Sequence, residues 1–223
     1  MSHTSRSTAS IILAAFAAAG LLTLAGCSID RIPLDGTVAT ESRDVTDFTS
    51  LRIDGEGDVT VTVGPEASLT ITADTAVLAE LRTRVEGGTL TLEGLAHSGR
   101  SYDIHYDITV PSLESLNLAG AAEIDVSGIE SEAFSVDLAG AGDVSLEGET
   151  GTLTIHLSGA GDVQARGLAS EEATVTIAGV GAATVTATGM LKATVSGMGD
   201  ITYFGHPTVT QSVTGIGDIE AGD

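Results

Sequence analysis

The chain has 223 residues, enough for one large domain or two small ones, and carries 31 acidic against 9 basic side chains for a formal net charge of −22. Beyond residue 100 there are 18 acids but only two bases, Arg166 and Lys192. Such a chain repels phosphate backbones, so the composition excludes nucleic-acid binding and leaves solubility or cation binding to explain the charge.

The first 26 residues are typical of a lipoprotein signal peptide. A short polar start containing Arg6 precedes residues 11–22, a run of apolar and small side chains. The run is shorter than the ~20 residues that a helix needs to span a bilayer. Leu24-Ala25-Gly26-Cys27 follows and resembles the bacterial lipobox, whose cysteine receives a diacylglyceryl group before the preceding peptide is removed. Cys27 is therefore the predicted lipidation site.

This processing predicts an extracytoplasmic protein that is anchored to the cell membrane by lipid. Cys27 is the sole cysteine, so the mature chain forms no internal disulfide. Residues 27–44 mix charge with proline and glycine and show no clear period, which indicates a tether between the lipid and a domain over residues 45–223.

The first part of that domain, residues 45–118, is mostly strand by alternation of apolar and polar side chains. Residues 75–82 form one expected helix, with Asp74 as its N-cap. The sequence Gly55-Glu56-Gly57-Asp58 is a turn that the second part of the domain repeats. The expected strands are centred on residues 51–53, 59–63, 69–71, 90–92 and 104–110.

The second part, residues 119–223, repeats a short turn in which two glycines precede an acid. The first glycines of successive turns are separated by 20, 19, 20, 18 and 18 residues, and alternating stretches flank each turn. A fixed period near 20 predicts stacked units, and two strands with two turns fit one coil of a parallel β-solenoid. An antiparallel sandwich is the alternative, but it does not require the same acidic turn in each unit. The turns begin at Gly120, Gly140, Gly159, Gly179, Gly197 and Gly215.

Stacking would place the acids of the turns in one column. Asp143, Asp162, Asp200 and Asp218 are candidate calcium ligands, while Ala182 interrupts the column and leaves two pairs. The competing interpretation is that each aspartate caps its own tight turn by accepting a hydrogen bond from a nearby backbone amide. The sequence predicts no other cofactor.

Several motifs together resemble the head GIN-domain family of autotransporter adhesins. They are Arg43–Phe48 leading into Leu51–Ile53, Val59–Val61 before Gly64, the Val85–Leu90 hairpin, Ile108–Pro111 and the glycine turns with their acids. The resemblance covers residues 43–223 and implies a right-handed β-helix-like domain on a secreted or envelope protein, without an established reaction. The turns at Ala122-Glu123 and Ala182 depart from the pattern, so the coils need not all have the same function.

The predicted function is non-catalytic adhesion or binding of an envelope or surface ligand. Residues 98–106 are the candidate ligand-binding stretch, through Arg100, Tyr102, His105 and Tyr106. A calcium-stabilised structural solenoid is the first alternative, and a polysaccharide-acting β-helix enzyme is the second. Enzyme chemistry is disfavoured because His97, His105, His156 and His206 are scattered and no metalloprotease, serine-hydrolase or cysteine-nucleophile motif is present. An exposed end coil also makes self-association possible.

Overall fold

The structure, a computed structural model, describes residues 36–94 and 102–222. It is an all-β solenoid of about five turns, with 68% strand and 2% helix, as the sequence predicts. The elements, in chain order, are β1 Val38–Arg43, β2 Ser50–Ile53, β3 Glu56–Val63, β4 Ser68–Asp74, α1 Thr75–Leu78, β5 Arg82–Glu86, β6 Thr89–Glu93, β7 His105–Val110, β8 Ser115–Leu118, β9 Ala121–Leu138, β10 Val144–Leu157, β11 Val163–Ile177, β12 Ala183–Val195, β13 Ile201–Phe204, β14 Thr208–Val213 and β15 Ile219–Ala221.

The long strands β9 to β12 pair in parallel, each with the strand one coil away. This pairing rules out the antiparallel sandwich. Each long strand has a register irregularity near its middle, and in β9 and β12 the partner on one side also changes. The first half of β9 pairs with β3 and the second half with β8, while β12 passes similarly from β13 to β14. We call the layer of first halves the first wall and the layer of second halves the second wall.

The core lies between the walls because every second side chain points inward. Leu138, Leu157, Ile177 and Val195 occupy one register position on four successive coils and are fully buried. Burying such a side chain contributes roughly 1.5–3 kcal/mol of transfer free energy, so each coil is stabilised mainly by its neighbours.

The N-terminal part both opens the solenoid and covers its end. Strands β2, β3 and β8 continue the parallel walls. Antiparallel strands then close each wall, with β4 beside β7 and β1 beside β4 in one, and β5 beside β6 in the other. The hairpin of β5 and β6 turns at Gly87 and Gly88, both with positive φ, as a tight hairpin requires.

Two expectations need correction here. Strand β1 lies inside residues 27–44, which the sequence assigned to the tether; its residues alternate weakly and gain strand structure from pairing with β4. Helix α1 ends at Leu78 rather than residue 82, because the chain reverses to form β5 along β6. Asp74 is the N-cap as predicted, since its Oδ1 accepts from the Ala76 amide at 3.0 Å.

The C-terminal end is formed by β14 and β15, and its apolar side chains are only partly covered. Val213 is 44% exposed and Ile216 is 71% exposed. Among the described residues, no helix is long and apolar enough to cross a bilayer.

Candidate functional site

The glycine turns stack in one column along the solenoid, which places the residues after them in a row. Consecutive β-bridges join the turns at Ala141, Ala160, Val180, Met198 and Ile216. The column also includes the early turn at Gly55, since β3 pairs in register with β9. We call the position after the second glycine the acid row. Its members are Asp58, Glu123, Asp143, Asp162, Ala182, Asp200 and Asp218.

Three carboxylates of the acid row bind the backbone of the next coil. Asp143 Oδ1 accepts from the Asp162 amide at 2.9 Å, and Asp162 Oδ1 accepts from the Ala182 amide at 2.7 Å. Asp200 Oδ1 accepts from the Asp218 amide at 2.8 Å. The interpretation of each aspartate as a cap on its own turn is therefore corrected: the amide that it binds belongs to the following turn.

These hydrogen bonds offset the repulsion between stacked carboxylates. Like charges about 5 Å apart repel by roughly 1 kcal/mol in water, and a hydrogen bond contributes about the same net amount. Ala182 has no side-chain oxygen and cannot accept from the Asp200 amide, so the row is interrupted there. Calcium binding by Asp143, Asp162, Asp200 and Asp218 stays a prediction.

At the N-terminal end of the acid row, the chain brings a histidine between two aspartates. His105 on β7 lies in parallel register with Asp58 on β3. His105 Nδ1 is 3.3 Å from Asp58 Oδ2, and His105 Nε2 is 2.9 Å from Asp103 Oδ1. Each of the three residues offers a ligand atom within 4.8 Å of the others. The acid row and the stretch around His105, two separate features of the sequence, therefore meet in space.

The tyrosines of that stretch do not form an exposed surface. Tyr102 is 7% exposed and Tyr106 is 2% exposed, so the expectation that they lie open to a ligand is corrected. Strand alternation explains the difference, because Tyr106 points inward where its neighbour His105 points outward. Arg100 and Cys27 lie outside the described residues.

Burial also changes the acid–base behaviour of two groups near this end. Burial raises the pKa of Tyr106 to about 12, with a further contribution from the charge of Glu56 and a smaller opposing one from Arg43. Burial raises the pKa of Glu56, and a hydrogen bond from the Tyr102 backbone lowers it by less. For both groups, burial is the largest cause of the raised pKa, and charges or hydrogen bonds contribute less.

The outward face of the second wall carries a row of hydroxyl side chains that a single lysine interrupts, and we call it the hydroxyl row. Lys192 stands between Thr174 and Thr210 in this row. Parallel register places neighbouring members about 4.8 Å apart, one strand spacing. The hydroxyl members are Ser50, Ser115, Ser135, Thr154, Thr174 and Thr210.

Two open grooves of about 300 Å³ lie along this row. Ser50, Ser115, Ser135 and Thr154 line one groove, with Glu114 at its side. Thr174, Lys192 and Thr210 line the other, together with Met190, which is 53% exposed. A third groove, of about 480 Å³, lies at the bend between the walls and is lined by Glu130, Glu132, Glu149 and Glu171. Each groove crosses at least three neighbouring strands.

Sequence reasoning missed the pairing of Asp58 and Asp103 with His105, and it missed the hydroxyl row. A signal existed for the first, since Gly55–Asp58 repeats the later turns and so belongs to the same column. The hydroxyl row was visible only as serines and threonines at alternate strand positions, where they are also ordinary solvent-facing residues of a sheet.

Comparison with known proteins supports the fold and the family. Residues 47–207 match the model of the family described as "Putative auto-transporter adhesin, head GIN domain". No curated protein matches the chain.

Among solved structures, a "putative adhesin" of Bacteroides fragilis is similar at 22% identity and a TM-score of 0.69, over 84% of this chain and 98% of that one. A "putative adhesin" of Parabacteroides distasonis has 22% identity and a TM-score of 0.52 over the same shares. A "putative lipid binding protein" of the same species has 21% identity and a TM-score of 0.50, over 85% of this chain and 98% of that one. These likenesses are in fold.

Proposed function

Because the chain belongs to the head GIN domain family, we propose that it is a non-catalytic, lipid-anchored adhesion module of the cell envelope. Cys27 carries the lipid, and the solenoid is held outside the cytoplasm. The adhesin names in the family and among the structural neighbours support this role.

The observation that carries the proposal is the hydroxyl row with its two grooves. Hydroxyl side chains repeat about every 4.8 Å along the solenoid and lie on a continuous parallel sheet. Hydroxyls both donate and accept hydrogen bonds, so such a row suits a polymer rich in hydroxyl groups with a comparable repeat. The charge of −22 disfavours a polyanion, which leaves a neutral glycan of the envelope or of another surface as the ligand class.

Adhesion can be tested on cells that display the protein. Replacing Thr154 and Thr174 with glutamate should reduce retention of the cells on immobilised neutral glycans, because charge and bulk then interrupt the row. Thr184→Glu with Thr202→Glu is the matched control, since these residues make the same charge change on the outward face of the first wall. Equal retention by wild type and both double variants would contradict the assignment of the face.

The anchor has its own test. Cys27→Ala should abolish incorporation of a clickable fatty-acid label and release the protein from the membrane fraction. If Cys27→Ala still incorporates the label, the lipidation site is wrong.

A further inference from the structure

We propose that Asp58, Asp103 and His105 form a binding site for a transition-metal ion, for which Zn²⁺ is the natural probe. The site is independent of the adhesion surface, which lies on the second wall. It also differs from the calcium hypothesis in residues and in ligand chemistry, because it contains an imidazole.

The distances between the donor atoms suit a small ion. Zinc binds histidine nitrogen and carboxylate oxygen at about 2.0–2.2 Å, so two ligands of a tetrahedral site lie roughly 3.3–3.5 Å apart. His105 Nδ1 and Asp58 Oδ2 are 3.3 Å apart. The Asp103 carboxylate lies beside the other ring nitrogen, Nε2, and its side chain is 89% exposed. To share one ion with Asp58 at Nδ1, this solvent-exposed carboxylate has to turn to the Nδ1 side of the ring.

The backbone holds two of these ligands in place on neighbouring strands. Asp58 and His105 are register partners, and the Asp58 amide donates to the Ile104 carbonyl at 2.8 Å. Gly57 lets the strands approach closely, since a Cβ there would lie 2.6 Å from the Ile104 oxygen. The buried Tyr106 ring fixes the alternation that turns His105 outward. A site on strands is better organised than one on loops.

The donor set selects the kind of metal. Calcium and magnesium prefer oxygen ligands alone, whereas one imidazole with two carboxylates suits zinc, manganese, cobalt or nickel. Glu123 is the register partner of Asp58 on the other side and adds negative charge one strand spacing away. The exposed cluster leaves room for water as a further ligand.

Three further aspartates of the acid row make a different contact. Asp143, Asp162 and Asp200 each engage a backbone amide of the next coil. Asp58 instead faces His105. The N-terminal end of the row is therefore the position where a nitrogen donor joins the carboxylates.

Isothermal titration of purified full-length protein with ZnCl₂, in mild detergent and without a polyhistidine tag, tests the proposal. We expect a saturable site that His105→Ala weakens by about tenfold or more and that Asp58→Asn also weakens. His156→Ala is the matched control, because His156 is an exposed strand histidine opposite Asp137 and should leave the affinity unchanged. The visible absorption of bound Co²⁺ should disappear with His105→Ala and persist with His156→Ala.

All three variants change exposed side chains, and their thermal melts report whether the fold is kept. Absence of Zn²⁺ binding by the wild type would overturn the proposal. Equal affinity of wild type and a folded His105→Ala variant would also overturn it. The adhesion assay with the threonine variants tests only the proposed function, so its result does not affect the zinc proposal.

Discussion

At the scale of single residues, the turns from Gly140 onward depend on a second glycine with positive φ, a conformation that other residues adopt only with strain. Gly161 has a φ of +141°, and a Cβ there would lie 1.9 Å from the carbonyl oxygen of Gly142 one coil before. Positive φ and close approach of another backbone segment are the two situations in which a chain generally requires glycine. In the first coil Ala122 occupies the equivalent position without positive φ, and β9 runs through it as regular strand.

Gly161→Ala should lower the free energy of unfolding by about 2–4 kcal/mol, from left-handed strain and overpacking against the neighbouring backbone. Urea denaturation followed by circular dichroism measures this. Gly87→Ala is the control for strain alone, because Gly87 has a φ of +58° but nothing within 4 Å of an added Cβ. We expect it to cost about 1 kcal/mol; an equal cost at both sites would show that close approach contributes little.

Tyr106 makes stability fall at alkaline pH. Its pKa is raised from the ordinary value of 10.0 to about 12 by burial and the charge of Glu56. Above about pH 10 the unfolded chain releases the phenol proton while the folded chain keeps it, so the free energy of unfolding drops by roughly 1.4 kcal/mol per pH unit until about pH 12. Below pH 10 this contribution is fully present.

Urea denaturation at pH 9 and pH 11 checks this expectation. Tyr106→Phe should show a smaller loss between the two pH values than wild type does, by about 1.4 kcal/mol. Tyr203→Phe is the control: it leaves the buried phenol of Tyr106 in place and should behave like wild type. Parallel pH dependence in wild type and Tyr106→Phe would contradict the burial argument.

At the scale of one coil, the sequence predicted the repeat better than it predicted the contacts. Period and alternation were enough to derive parallel coils, because inward columns such as Leu138, Leu157 and Ile177 follow directly from them. The direction of the aspartate side chains was not derivable. An aspartate at this position can accept a hydrogen bond from an amide of its own turn or from an amide of the next turn. Both arrangements need the same residue at the same spacing, and only the stacked backbone shows which of them forms.

Asp162→Ala should lower the free energy of unfolding by about 1 kcal/mol, because the Ala182 amide then loses its acceptor. Asp162→Asn keeps an acceptor oxygen and should be milder. Asp218→Ala is the matched control, since no later coil follows it within the described residues. Thermal melts at fixed ionic strength compare the three.

The reciprocal change repairs the interruption of the row. Ala182→Asn supplies an oxygen for the Asp200 amide without adding charge and should raise the melting midpoint. Ala182→Asp adds the same acceptor but also repulsion from Asp162 and Asp200, so its benefit should appear only at high salt. If both substitutions destabilise at every salt concentration, the link between coils is not what the aspartates contribute.

At the scale of the whole molecule, the two ends of the solenoid differ. Antiparallel strands cover the N-terminal end, whereas Val213 and Ile216 remain exposed at the other end. The sequence indicated that the N-terminal part differs from the regular repeats, but not that β1 joins the sheet. That assignment depends on pairing with β4, a long-range contact that local alternation does not encode.

The calcium hypothesis concerns the charge of the whole molecule. Because the net charge is −22, any cation should stabilise the fold by screening, and a calcium site has to be distinguished from that general effect. Successive acids lie about 4.8 Å apart, a spacing that a calcium ion could bridge at about 2.4 Å from each oxygen. One oxygen in each of Asp143, Asp162 and Asp200 already accepts a hydrogen bond from an amide of the next coil. These hydrogen bonds offset the repulsion between stacked carboxylates without a bound ion. We therefore expect thermal melts in calcium, magnesium and sodium chloride at matched ionic strength to show screening without a calcium-specific rise. A rise specific to calcium, lost in Asp143→Asn and Asp200→Asn, would instead make the acid row a set of ligands and the solenoid a calcium-stabilised module.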